Sequence, residues 1–460
     1  MRHTADSRKK KRRRRMSMSP PSPSSSSSRS SATAAAPCQW CCYSQSQSQQ
    51  QLMLLLALAL ALLLPHLAVA GRMARIQSHL DRINKPALRS IRSVDGDTID
   101  CVAAHQQHAL DHPLLKGHTI QAEPTEMPAS RRGLAAAADA KTGSSSRWGA
   151  WQTWHHGGHC PRGTVAVRRT TAADVLRAGS ISRFGRKRRR KRSSVDAARA
   201  ANAPDVISGN GHEHAIAYTA PSSSSQQPVY GAKATINVWD PAIQESNGFS
   251  LSQLWILSGS FNGSDLNSIE AGWQVSPELY GDSRPRLFTY WTTSSRIAIG
   301  ASISPVSSPG GAQYDMTLLV WKDPKLGNWW LSYGDQLVGY WPAQLFTHLS
   351  DHATMVEWGG EVVDTRPGGV HTATQMGSGR FAAEGFGRAS YFRNLETVDA
   401  DNSLAEVPLD AIQTLAEDAA CYDIRKAYDD DDDDGHSAGS GGGWGTHFYY
   451  GGPGHNPACP

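Results

Sequence analysis

From His214 to the C-terminus, apolar and polar residues alternate in short runs separated by Gly, Pro, Asn and Ser. Successive side chains of an extended chain point to opposite faces, so such a run buries one face and wets the other when it folds as a strand. Residues 234–239, 254–260, 269–275, 287–292, 296–303, 314–321, 329–338, 356–363 and 389–394 all read as strands, and only residues 341–349 read as a helix. Many short strands with turn residues between them predict an all-β domain, an antiparallel sandwich or barrel.

Charge divides the chain differently. The 460 residues carry 46 Lys and Arg against 41 Asp and Glu, a net +5 that averages three unlike regions. Residues 1–50 hold ten cations and one acid, residues 51–192 hold 23 and 9, and residues 193–460 hold 13 and 31. The last balance argues against nucleic-acid binding by the β domain, because tracking phosphates takes a basic field. Hydrophobic residues make up 39% of the chain, so part of its length is not expected to pack.

Residues 52–64 are an unbroken apolar run followed by Ala68-Val69-Ala70 and Gly71. The run is shorter than the roughly 20 residues that span a bilayer, whereas a short core ending in small residues suits a cleaved secretory signal. The expectation is secretion to the extracellular space or cell wall, or delivery to a vacuole, without a stable membrane anchor. The basic, Ser-rich stretch ahead of the run fits an upstream start, with Met16, Met18 or Met53 as the working one. The expected organisation is an extension and signal (1–70), a small mixed pro-region (71–192), a linker (193–213) and the β domain (214–460). Within the pro-region, residues 123–146 read as a further linker, and the seven cations of 186–192 read as a solvated connector or a processing site.

Of seven cysteines, Cys101, Cys160, Cys421 and Cys459 lie downstream of the apolar run, widely spaced and without a CxxC pair. That spacing suits disulfides in an oxidising compartment better than zinc. Four cysteines allow three pairings; Cys101 with Cys160 and Cys421 with Cys459 is the expected one. His155, His156 and His159 lack a nearby carboxylate and read as a loop, and no metal or cofactor is expected. Asn262-Gly263-Ser264 is a glycosylation sequon in a polar turn.

The chain has no nucleophile elbow, phosphate loop or His-Glu-x-x-His. Its chemistry concentrates in two acidic strands. Around Ile269, one face carries Glu270, Gly272 and Gln274, and the other Ile269, Ala271, Trp273 and Val275. In Glu357-Trp358-Gly359-Gly360-Glu361 both glutamates share a face if the strand is regular, whereas a bulge at the glycines would re-aim one. Two carboxyls in unlike surroundings can divide acid and base duties: the ionised one activates water and the protonated one donates to the leaving group. Gln274 or a backbone amide is a candidate to stabilise the oxyanion.

These segments, together with Leu279-Tyr280-Gly281-Asp282, Gly327-Asn328-Trp329-Trp330, Gly339-Tyr340-Trp341-Pro342, Thr374-Gln375-Met376-Gly377-Ser378-Gly379 and Phe448-Tyr449-Tyr450-Gly451-Gly452-Pro453-Gly454, resemble the neprosin family of secreted plant glutamic peptidases. Asn84-Lys85-Pro86-Ala87-Leu88, Asp100-Cys101-Val102, His112-Pro113-Leu114-Leu115-Lys116 and Cys160-Pro161-Arg162-Gly163-Thr164-Val165 resemble that family's activation peptide. The resemblance implies a double β-sandwich zymogen whose groove holds two catalytic glutamates and which cleaves peptides beside proline at acidic pH. It implies Glu270 and Glu361 as the pair, with Glu357 the second choice for the latter. Trp273, Trp291, Tyr340 and Trp358 are candidate groove residues for proline rings, with core packing as the competing reading of each.

One departure stands out: Thr292-Thr293-Ser294-Ser295 joins directly two segments that family members separate with a Cys-containing stretch. That raises an alternative, an inactive secreted module binding proline-rich or cell-wall polymers. The charge division further predicts that the basic pro-region covers the acidic groove and that acid releases it.

Overall fold

A computed structural model describes residues 39–130, 149–184, 211–219, 228–260, 265–289, 294–364, 366–427 and 444–460. A helix runs over Gln39–Ile83, and its segment Gln51–Ile83 is long and apolar enough to cross a membrane by length and composition. Residues up to Val69 and residues from Ala70 onward form two separate units, and the second contains every strand described.

The pro-region contributes five strands: β1 (Ala87–Arg92), β2 (Thr98–Ala103), β3 (Ala129–Ser130), β4 (Trp151–Gln152) and β5 (Thr164–Arg168). The chain then continues through β6 (His212–Thr219), β7 (Gly231–Asn237), β8 (Ser250–Ser258), β9 (Asn267–Val275), β10 (Arg286–Phe288), β11 (Ile303–Ser304) and β12 (Asp315–Lys322). It ends with β13 (Trp329–Tyr333), β14 (Gln336–Trp341), β15 (Met355–Val363), β16 (Ser390–Val398), β17 (Ser403–Glu406), β18 (Ile412–Ala416), β19 (Asp423–Ala427) and β20 (His447–Gly451). One sheet has the order β10-β9-β8-β15-β6-β18; the other has β14-β13-β12-β7-β16-β17-β3, with β20 also on β16 and β19 on β20. Their facing sides bury Ala217, Ile236, Leu254, Ile256, Ala271, Trp273, Leu318, Val320, Val356 and Trp358 in one core. The fold is all-β, as the alternation predicts.

Three expectations need correction. Residues 329–338 form not one strand but a hairpin, β13 and β14, because Gly334 takes a left-handed φ of 57° at the turn. Residues 341–349 hold a single short turn of helix, Ala343–Leu345, after Pro342. Residues 296–303 hold almost no strand; only Ile303 starts β11, which pairs with β4 of the pro-region.

Both disulfides join the expected cysteines, with Cα atoms 5.4 Å apart for Cys101–Cys160 and 5.3 Å for Cys421–Cys459. The first ties β2 of the pro-region to the loop before β5. The expected linker from residue 123 is docked at its start. Asp323 accepts from the Thr125 amide at 2.7 Å, from the Thr125 hydroxyl and from Gln121 Nε2 at 2.8 Å. Trp321 Nε1 donates to the Glu126 carbonyl at 3.0 Å, and β3 adds in parallel to β17.

Among the described residues, the ion pair across the boundary runs opposite to the net charges of the two regions. An ion pair across the boundary joins an acid of the pro-region, Asp97, to a cation of the β domain, Arg286, at 2.5 Å. Arg168 and Arg169 are instead paired inside the pro-region with Asp97 and Asp100. The cations of 186–192 lie outside the described residues.

Candidate active site

The six-stranded sheet positions the acidic residues. Antiparallel partners directly opposite one another share a face, so the register assigns each side chain. One row across the sheet is Glu270 (β9), Trp255 (β8), Glu357 (β15) and Tyr218 (β6). A neighbouring row of the same face is Gly272, Gln253, Gly359 and Ile216, and the next is Gln274, Leu251, Glu361 and His214. No register shift interrupts β15 against either neighbour, so Glu357 and Glu361 do share this face.

Glu270 and Glu357 are two strands apart in one row, about 10 Å between backbones at normal strand spacing. Glu361 lies four residues further along β15, which adds roughly 13 Å along the strand. Its buried carboxyl bonds His212 Nδ1, and His214 Nε2 lies 4.0 Å away. His214 in turn meets Glu417 at 3.3 Å. Glu361 thus belongs to a histidine and carboxylate cluster on the β6 side, and the register separates it from Glu270.

The two carboxyls of the shared row have unlike surroundings. Glu270 is half-buried and accepts from Gln253 Nε2 at 3.1 Å and from the Ser268 hydroxyl at 3.0 Å. Glu357 is only 1% exposed. Burial, followed by the neighbouring Glu357 carboxylate, raises the Tyr218 phenol. The Trp255 indole tilts toward His214, with ring centroids 6.5 Å apart. Gly272 makes the arrangement possible, since a Cβ there would lie 2.4 Å from Gln253 Cβ and 2.0 Å from the Ser252 carbonyl. Gln274 is buried on the same face, in the Glu361 row.

The described aromatic candidates, Trp273, Trp358 and Tyr340, do not line this face. Trp273 is fully buried on the opposite side of β9, where its Nε1 donates to the Asn237 carbonyl at 2.9 Å. Trp358 is likewise in the core between the sheets. Tyr340 packs with Trp321 and Trp330 in a different cluster, and its hydroxyl meets the pro-region through His118 Nε2 at 2.7 Å and the Gln121 amide at 2.9 Å. Trp291, Asn262 and the junction at Thr292 and Thr293 lie outside the described residues.

Reading the sequence missed Gln253, Trp255, Tyr218, His212 and His214. Every residue of β8 is buried, so it lacks the wet face that exposes a functional side chain to periodicity arguments. The signal was Gln253 itself, a polar residue within an otherwise apolar stretch, Leu251 to Leu257, broken only by Ser252.

Two family profiles match the chain. The neprosin family profile matches residues 246–453, and the neprosin activation peptide profile matches residues 90–218. Among solved structures, Scytalido-glutamic peptidase with a peptide-based transition state analog is similar at 12% identity over 52% of this chain and 97% of that one, with a TM-score of 0.28. SCP-B, a member of the Eqolisin family of peptidases in complex with the tripeptide Ala-Ile-His, is similar at 12% identity over 52% and 96%, with a TM-score of 0.25. Likeness at that level carries no argument about the site. With an activation peptide ahead of the matched β domain, the chain belongs to the neprosin family.

Proposed function

We propose that the protein is a glutamic endopeptidase made as a zymogen, in which Glu270 and Glu357 are the acid and base. The observation that carries this reading is their shared row on one sheet face, with two donors on one carboxyl and near-complete burial of the other. Glu270, more open to solvent and oriented by Gln253 and Ser268, is assigned as the base that takes a proton from water as the water oxygen attacks the peptide carbonyl. Glu357, almost wholly out of solvent in the same row, is assigned as the acid that protonates the leaving nitrogen. Gln274, four residues along β9 from Glu270 and in the Glu361 row, is not placed to stabilise the oxyanion at this pair, which leaves that role to a backbone amide. Needing one protonated and one ionised carboxyl, the reaction is expected to run at acidic pH.

Cleavage beside proline, secretion and inhibition by the pro-region are the finer parts of the proposal, and they rest on the family. The alternative, a binding module with a tryptophan-rich groove, loses support because Trp273 and Trp358 are in the core and Tyr340 is against the pro-region.

The test is incubation of the purified, acid-treated full-length protein with proline-containing peptides, read by mass spectrometry. Cleavage beside proline, abolished by Glu270→Gln and by Glu357→Gln, is expected. Binding of those peptides without cleavage would favour the alternative.

A further inference from the structure

Gln253 is fully buried in β8, between Gly272 and Gly359 in its row, and its amide points across Gly272 to Glu270. Its Oε1 is buried and has no hydrogen-bond partner among the described residues. Burying an amide with an unsatisfied oxygen destabilises the fold, whereas a Met or Leu of similar volume would carry no cost of that kind. Stability therefore does not account for a glutamine here. What the side chain does make is a hydrogen bond from Nε2 to Glu270 Oε2, at 3.1 Å.

We propose that Gln253 is a positioning residue, which fixes the orientation of the Glu270 carboxylate and keeps it an acceptor while it draws a proton from water. The inference rests on the reading of Glu270 as the base. Gln253 acts through Glu270 and is not placed against substrate. Gly272 belongs to the same device, since any side chain there collides with Gln253.

Gln253→Met keeps the volume and removes the donor. In the acid-treated full-length protein, kcat is expected to fall roughly 10- to 100-fold, as for loss of a partner that orients a reactive group, with KM within about twofold. The melting temperature should be unchanged or higher, because the unsatisfied oxygen is gone. Gln253→Glu, equal in shape but an acceptor, should lose at least as much activity; it also carries the test if the Met variant fails to fold. A filler role predicts the opposite, with both variants keeping kcat, and that result overturns the proposal. So does a loss of kcat matched by a fall in melting temperature in both variants. Glu270→Gln separates the two readings. If it still cleaves, the base assignment fails and this inference with it; if it is dead while Gln253→Met is fully active, only this inference fails.

Discussion

At the scale of single residues, the phase of a strand decides more than the identity of its side chains. Trp273 and Glu270 are three apart on β9, so alternation alone puts them on opposite faces, and the structure puts Trp273 in the core. Its candidacy as a groove residue came from the family motif and ran against that parity. Trp273→Ala is expected to cost about 3–5 kcal/mol in denaturant unfolding, the range for a large buried aromatic. Activity per folded molecule should stay near that of the parent, which kinetics corrected for the folded fraction would check. Arg286 behaves differently. It is 1% exposed and holds Asp282, Asp97 and the Gly300 carbonyl. Arg286→Met should destabilise the full chain by about 3–5 kcal/mol, as expected for breaking a buried pair from one side.

At the scale of elements, strand existence was legible where apolar and polar residues alternate, as in β9, and illegible where a turn lies inside an apolar run, as between β13 and β14. The docking of the pro-region was not legible at all: His118 and Tyr340 are 222 positions apart, and no local pattern encodes such a contact. Its pH response now comes from the groups at the boundary. Burial alone would raise Asp323, but the Thr125 amide and hydroxyl, then the Leu326 amide of its own loop and the Gln121 amide, hold it down to about 2, from 3.8. The share of that depression that comes from Thr125 and Gln121 contributes to docking in full at neutral pH and is lost as pH falls through about 2. His118 is lowered by burial, so its contribution is full above 6.5 and fades as pH drops below that. Mild acid should therefore loosen the His118 contact while Asp323 still holds. After cleavage between residues 184 and 211, the two parts are expected to co-elute at pH 4 to 5 in size-exclusion chromatography, a condition set by those two thresholds. Separation at that pH would contradict the account, and Asp323→Asn should bring separation to milder pH. Replacing Cys101 and Cys160 together should cost the zymogen about 2–4 kcal/mol by thermal or denaturant unfolding.

At the scale of the whole molecule, the described contacts between pro-region and β domain are specific ones: Asp97 on Arg286, the Asp323 cradle, His118 and Gln121 on Tyr340, and strand pairing at β17 and β11. The family and the all-β class could be read from the sequence because both are written in many ordered motifs. Which glutamates share a row could not, because motif order fixes neither strand order nor register: β15 sits beside β8 only after the chain has crossed to the other sheet and back. The direct test is a comparison of kcat for Glu270→Gln, Glu357→Gln and Glu361→Gln in the acid-treated protein on one proline-containing peptide. The account predicts loss of about 100-fold or more for the first two and no more than about tenfold for the third, whose carboxyl is held by His212. Full activity in Glu357→Gln beside a dead Glu361→Gln would contradict it.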